Sequence, residues 1–125
     1  MICGIGIDLV EIERIKAIYG QYGDRFLDRF FSSREKALIS KRKSGKINML
    51  AGRFAAREAV IKALGNRPGR QVFLREIEIL NDESGQPYAV LAPDLANRLG
   101  QVKVHISITH ENKYAAAVAV LSDEV

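Results

Sequence analysis

Residues 102–121 read VKVHISITHENKYAAAVAVL, and their reading decides the fold class. Over 102–109, His105, Ser107 and Thr109 fall on one side of an extended chain and the isoleucines on the other, the period-two alternation of a strand. Glu111-Asn112-Lys113 is a polar turn, after which 114–121 resumes as a second, apolar strand. So short a turn joins antiparallel neighbours, because a parallel pair needs a crossover of roughly a dozen residues or more.

The rest of the chain follows the same logic. Residues 93–99 form a short helix, with Pro93 at its start and Gly100 at its end. Strands are predicted over 72–81 and 87–91, joined by Asp82-Glu83-Ser84-Gly85. A longer helix runs from about residue 47 to 64 and is ended by Gly65, then Pro68-Gly69. Ser32 followed by Glu35 is a capping box, which starts a helix running into Lys41-Arg42-Lys43. Over 10–18, Ile12, Ile15 and Ile18 recur at helical spacing, with Arg14 and Lys16 on the other side. Residues 2–8 alternate as a first strand. Hairpins in place of helical crossovers give an α+β fold with a largely antiparallel sheet.

The length of 125 residues fits one domain over 1–125. Hydrophobic residues at 47% and charged residues at 27% are ordinary for a globular chain. No apolar stretch approaches the roughly 18 residues of a membrane span, and no secretory leader precedes the first strand, so no membrane association and a cytoplasmic location are expected. Cys3 is the only cysteine, which excludes an internal disulfide and a cysteine-based zinc site. The net charge of +4 fits an anionic partner: nucleic acid, a phosphorylated small molecule or an acidic protein.

Three places carry candidate chemistry. Along the helix over 47–64, at about 100° per residue, Ile47, Leu50, Phe54 and Ile61 share one sector. Glu58 projects into its middle and Lys62 lies at its edge. A carboxylate there costs several kcal/mol unless paired or metal-bound; the alternative is a Glu58–Lys62 pair on a solvated face. In the first strand Gly4, Gly6 and Asp8 share a face, a bare strip that a ligand or another backbone could approach. Asp8 could equally cap the next helix. His105, Ser107 and Thr109, with His110 at the strand end, are suited to phosphate or ribose oxygens, or form a polar solvent face. Arg14, Arg25, Arg29 and the cluster Lys41, Arg42, Lys43 and Lys46 are either anion-binding or solvated surface. Two carboxylates, a lysine and hydroxyls without cysteine point to Mg²⁺ and phosphoryl-group chemistry.

The segments GIGIDLVEIERI (4–15), AGRFAAREAVIKALG (51–65) and HISITHENKYAAAVAV (105–120) resemble the holo-[acyl-carrier-protein] synthases, the small class of 4'-phosphopantetheinyl transferases. The resemblance covers nearly the whole chain. It implies the 4'-phosphopantetheinyl transferase fold, with the sheet packed on a long helix and the chain assembling as a homotrimer with sites between subunits. It implies transfer of 4'-phosphopantetheine from coenzyme A to a serine of acidic apo-acyl carrier protein, releasing adenosine 3',5'-bisphosphate and serving fatty-acid synthesis.

By the same resemblance, Asp8 and Glu58 bind Mg²⁺ and Lys62 contacts the pyrophosphate. His105, Ser107, Thr109 and His110 line the coenzyme A site, and Lys46 and Arg53 reach its 3'-phosphate. Arg14, Arg25 and Arg29 form the surface that docks the carrier protein. Glu58, a metal-bound water and a histidine are the candidates to take the serine proton. Ser44-Gly45-Lys46-Ile47-Asn48 stands where an unbroken basic stretch is expected. The competing class is a basic RNA-binding module. Against it stand the absence of Trp, only 5 Phe and 4 Tyr, and no basic strand interleaved with aromatics.

Overall fold

A computed structural model describes residues 1–123. Strand β1 (Ile2–Glu11) leads into α1 (Ile12–Tyr22), α2 (Asp24–Phe30), α3 (Ser33–Ser40) and α4 (Lys46–Leu64). A single 3₁₀ turn (Leu74–Glu76) precedes β2 (Ile77–Asn81) and β3 (Pro87–Leu91). Then come α5 (Pro93–Leu99), β4 (Val102–His110) and β5 (Tyr114–Asp123). All strand pairing is antiparallel: a three-stranded sheet in the order β1-β5-β4 and a separate β2-β3 hairpin. The α+β expectation therefore holds.

Local signals explain several boundaries. Ser32 Oγ accepts from the Glu35 amide and the Glu35 carboxylate accepts from the Ser32 amide, so the capping box forms. Gly65 at φ +55° ends α4, and Pro93 and Gly100 bracket α5. Elsewhere tertiary structure overrides the pattern. β1 continues through Val10 and Glu11, where the periodicity predicts a helix, because both residues pair with β5. Gly23 at φ +53° breaks the first helical region in two, placing Arg25 and Arg29 on α2. Residues 72–76 are not strand: Glu76 Oε2 accepts from the Phe73 amide and folds the backbone into the 3₁₀ turn.

Helix α4 lies across the sheet on a face of small residues. Ala55, Ala59 and Ala63 are buried against Ala117, Ala119 and Leu121 of β5, with Ile77, Ile79, Leu95 and Leu99 closing the far side. A second cluster joins Ile12, Ile15, Phe26, Phe31 and Ile39 of the first helical layer to Leu50 and Ala51. Of the large-residue sector read from the sequence, only Leu50 is fully buried. Ile47, Phe54, Glu58 and Ile61 lie on the half-open side of α4, and the alanine side faces the core.

In β1 the bare strip of glycines is approached by another backbone, one of the two occupants its reading allows. Gly4 and Gly6 face α4, and Ile5, Ile7 and Leu9 are 69%, 67% and 64% exposed. The glycines serve a backbone approach: a Cβ on Gly6 would sit 2.1 Å from the Ala59 carbonyl oxygen. Space, and not a left-handed backbone, is what Gly6 supplies.

One ion pair is wholly inside. The guanidinium of Arg57 on α4 donates to Glu35 of α3, and both side chains are at most 1% exposed. Glu35 also accepts from the Ile79 amide at 2.9 Å, so one carboxylate ties α3, α4 and β2 together. Arg57 further stacks over the Phe31 ring, 4.5 Å from its centroid.

Candidate active site

The close seating of β1 on α4 brings Asp8 alongside the helix face that carries Glu58 and Lys62. Lys62 Nζ donates to Asp8 Oδ1 at 3.1 Å and to the Ile7 carbonyl at 3.0 Å. The carboxylate of Asp8 is 17% exposed and the lysine 54% exposed, so the pair sits at a rim open to solvent. Asp8 does not cap α1, whose N-cap is Glu11 without a side-chain bond. Glu58 holds its proton more tightly than a free glutamate, first because of burial and then because of the Asp8 charge, with Lys62 opposing both. Asp8 and Glu58 line one small cleft together with Glu11, Arg14, Ile18 and Phe54.

Glu58 also lines a second, larger cleft of about 1040 Å³, between Arg29, Phe30 and Ile61 on one side and the 65–75 loop on the other. Beside it Ile18, Tyr22, Arg25, Phe26, Arg29 and Phe30 form an apolar groove. Arg25 and Arg29 are exposed and lie over the Tyr22 and Phe30 rings, each 5.7 Å from the centroid. Arg14, Arg25 and Arg29 therefore border surfaces continuous through Ile18 and Glu58.

The other predicted residues lie apart. Within one chain His105, Ser107 and Thr109 are on the sheet face away from α4, in register with Val120, Val118 and Ala116 of β5 and, beyond them, Ile5, Ile7 and Leu9. His105 Nε2 is 3.0 Å from Ser122 Oγ. His110 ends β4 opposite Ala115 and is exposed. Lys46 opens α4, half-buried. Arg53, expected at a phosphate, is 3% exposed in the folded chain, and its guanidinium donates to Asn81 Oδ1 at the end of β2. Helix periodicity puts Arg53 and Arg57 on the enclosed side of α4, one turn apart.

Sequence reasoning missed the Arg57–Glu35 pair, because Glu35 is already accounted for as a cap. It also missed the network around Arg70 in the 65–75 loop. No local pattern announces that network, since its partner Asp94 is 24 positions away.

The arrangement offers two carboxylates, a half-exposed ammonium donor and basic surroundings, the equipment for handling a phosphorylated substrate. A family model described as the 4'-phosphopantetheinyl transferase superfamily matches residues 4–119. The chain belongs to that superfamily. The holo-[acyl-carrier-protein] synthase of Protochlamydia amoebophila is 46% identical over 98% of this chain and 99% of its own length. Among solved structures, the holo-[acyl-carrier-protein] synthase of Neisseria meningitidis superposes with a TM-score of 0.86 at 31% identity, covering 98% of this chain and 100% of that one. That of Bacillus anthracis, solved in complex with CoA (3',5'-ADP), gives 0.81 at 34% identity and 99% coverage of both. The chain is an enzyme of the holo-[acyl-carrier-protein] synthase type, and the RNA-binding alternative is not favoured.

Proposed function

We propose that this enzyme moves 4'-phosphopantetheine from coenzyme A to a serine hydroxyl of an acidic apo-acyl carrier protein. Adenosine 3',5'-bisphosphate leaves, and the reaction depends on Mg²⁺ and serves fatty-acid synthesis in the cytoplasm. The observation that carries this reading is the meeting of Asp8, Glu58 and Lys62 at one rim.

The residues present fit Mg²⁺. Burial first and the Asp8 charge second raise the proton affinity of Glu58, and a cation between the two carboxylates would offset both effects. Among the described residues no group of three or more His, Cys, Asp or Glu is arranged to hold a metal. Two carboxylates suffice for Mg²⁺ when phosphate oxygens and water complete its shell. Bound there, Mg²⁺ supplies Lewis-acid polarisation of the pyrophosphate and offsets charge on the leaving bisphosphate. Lys62 Nζ, half-exposed and within reach of Asp8, adds a donor to that leaving group. Of the bases considered, Glu58 and a metal-bound water would both stand at the rim, where either could accept the serine proton.

The reading includes a homotrimer. Ile5, Ile7 and Leu9 are large apolar side chains left in water on one sheet face, the kind of surface that a partner covers. His105, Ser107 and Thr109 share this face, and the reading has them serve another chain's Asp8 and Glu58 at a site between subunits. Arg14, Arg25 and Arg29 would steer the acidic carrier protein, so its capture weakens with salt.

Intact-mass spectrometry tests the reading: apo-acyl carrier protein is incubated with this enzyme, coenzyme A and Mg²⁺, with an EDTA control. A gain of one phosphopantetheine that EDTA abolishes is expected. No gain with carrier proteins of several sources would overturn the proposal.

A further inference from the structure

The 65–75 loop is one wall of the large cleft, and Arg70 holds it from inside. Nη2 and Nη1 of Arg70 meet Glu76 Oε1 and Oε2 at 2.7 and 3.0 Å, a two-pronged pair that closes the loop on itself. Nη1 also donates to the Gln71 carbonyl at 2.9 Å, and Nη2 to Asp94 Oδ2 at 2.8 Å. Glu76 Oε2 in turn accepts from the Phe73 amide at 2.9 Å. Asp94 belongs to α5, whose Arg98 meets the same Asp94 oxygen at 3.1 Å and the Pro68 carbonyl at 3.3 Å. The loop is thus pinned at residues 68, 70, 73 and 76, with α5 as the fixed post.

The network also sorts the charges. Arg70 faces two carboxylates, and both are held below the usual carboxylate range, Glu76 and Asp94 each chiefly by the Arg70 hydrogen bond. Arg70 lines the cleft as well, but its two terminal nitrogens are engaged by those carboxylates. Arg75 and Phe73, by contrast, line the cleft without such an engagement: Phe73 is 60% exposed and Arg75 is exposed with no ion pair or side-chain hydrogen bond among the described residues. The clamp therefore presents an aromatic ring and a free guanidinium across the cleft from Glu58.

We propose that Arg70, through Glu76 and Asp94, is a positioning residue that fixes the cleft wall and thereby sets affinity for coenzyme A. It takes no part in the transfer step. This rests on the transfer reading above and extends it to a residue outside the Asp8–Glu58–Lys62 rim. Freeing the loop requires each binding event to order it again, which weakens binding and leaves chemistry at Glu58 unchanged.

The test compares wild type, Arg70→Ala, Glu76→Gln, the double variant and Arg70→Lys. Steady-state transfer gives kcat and KM for coenzyme A, calorimetric titration gives its Kd, and amide hydrogen exchange follows residues 66–76. Arg70→Ala should raise both KM and Kd on the order of five-fold, with kcat within about two-fold of wild type. The double variant should be no worse than Arg70→Ala alone, because that change already removes the Arg70–Glu76 contact. Arg70→Lys keeps the charge but not the fork, so it should fall between. Loop amides should exchange faster while α4 amides do not. A loop that exchanges faster with KM and Kd unchanged overturns the proposal, as does a fall in kcat alone. If wild type transfers nothing, the transfer reading fails, and the coenzyme A Kd together with exchange still decides the clamp.

Discussion

Replacing Gly6 by alanine adds one methyl group, and the structure says where it goes. The new Cβ would lie 2.1 Å from the Ala59 carbonyl oxygen, 2.7 Å from the Ala63 nitrogen and 2.9 Å from Lys62 Cβ. Two of these three neighbours are helix backbone and have no rotamer to escape into. Real Cβ contacts essentially never fall below 3.0 Å, so β1 and α4 must separate by close to 1 Å at this point. Overpacking of this kind costs roughly 1–3 kcal/mol, and a backbone collision belongs at the upper end. For a chain of this size about 3 kcal/mol lowers Tm by roughly 10 °C. The second effect is on the rim. Asp8 is two residues from Gly6 on the same strand face, and its contact with Lys62 spans 3.1 Å. A shift of about 1 Å opens it, and misplacements of that order reduce turnover on the order of 100-fold. The assay pairs calorimetric Tm with phosphopantetheine transfer. Gly20→Ala is the control: it lies in α1 with nothing within 4 Å of its Cβ, so it should gain about 0.5–1 kcal/mol of helix stability. A Gly6→Ala variant with wild-type Tm and turnover would refute the close seating of β1 on α4.

Further expectations follow from the same geometry. Glu58→Gln should stabilise the metal-free enzyme by about 0.5 kcal/mol at neutral pH, after solvent screening. The native state holds the Glu58 proton more tightly than the unfolded chain, so wild type loses stability as pH rises past 4.5 and the advantage of glutamine disappears below it. Tm profiles of the two proteins against pH check the sign. Arg57→Met leaves the Glu35 carboxylate buried without its cation, at a cost of about 3–5 kcal/mol. Adding Glu35→Gln should recover much of that, since the amide oxygen still accepts from Ile79; denaturant titration of the two variants decides. Ile7→Glu puts a charge in the middle of the exposed apolar sheet face, and sedimentation should then find monomer in place of trimer. A trimer that persists would remove this face from the interface.

Much of the fold is legible because local chemistry and tertiary structure agree there. The capping box at Ser32, the ends of α4 and α5, and both hairpins are of that kind. The misread face of α4 has one cause. Periodicity is read from large apolar residues, but where a helix lies directly on a strand the buried residues are small. Ala55, Ala59 and Ala63 against Gly4 and Gly6 make the seam, and Ile5, Ile7, Leu9 and Phe54 are pushed outward. At the site, Asp8, Glu58 and Lys62 were legible as chemistry because carboxylates near apolar or bare surface demand a partner. Arg53 was not, since its burial depends on β2, and neither was the Arg70 clamp, whose members come from three separate stretches.

The sheet order has a consequence for how the chain comes together. β5 is central, so β1 and β4 meet only through it, and Ile2 finds its partner at Ser122. The first strand made is completed by the last. During synthesis β1 must wait, its backbone unpaired, until β5 has emerged. The hairpin of β4 and β5 closes locally and quickly; docking β1 onto it closes a far longer loop, from Ile2 to Ser122. Conditions that slow the end of translation or strip the last strand would leave an apolar edge looking for another chain to pair with.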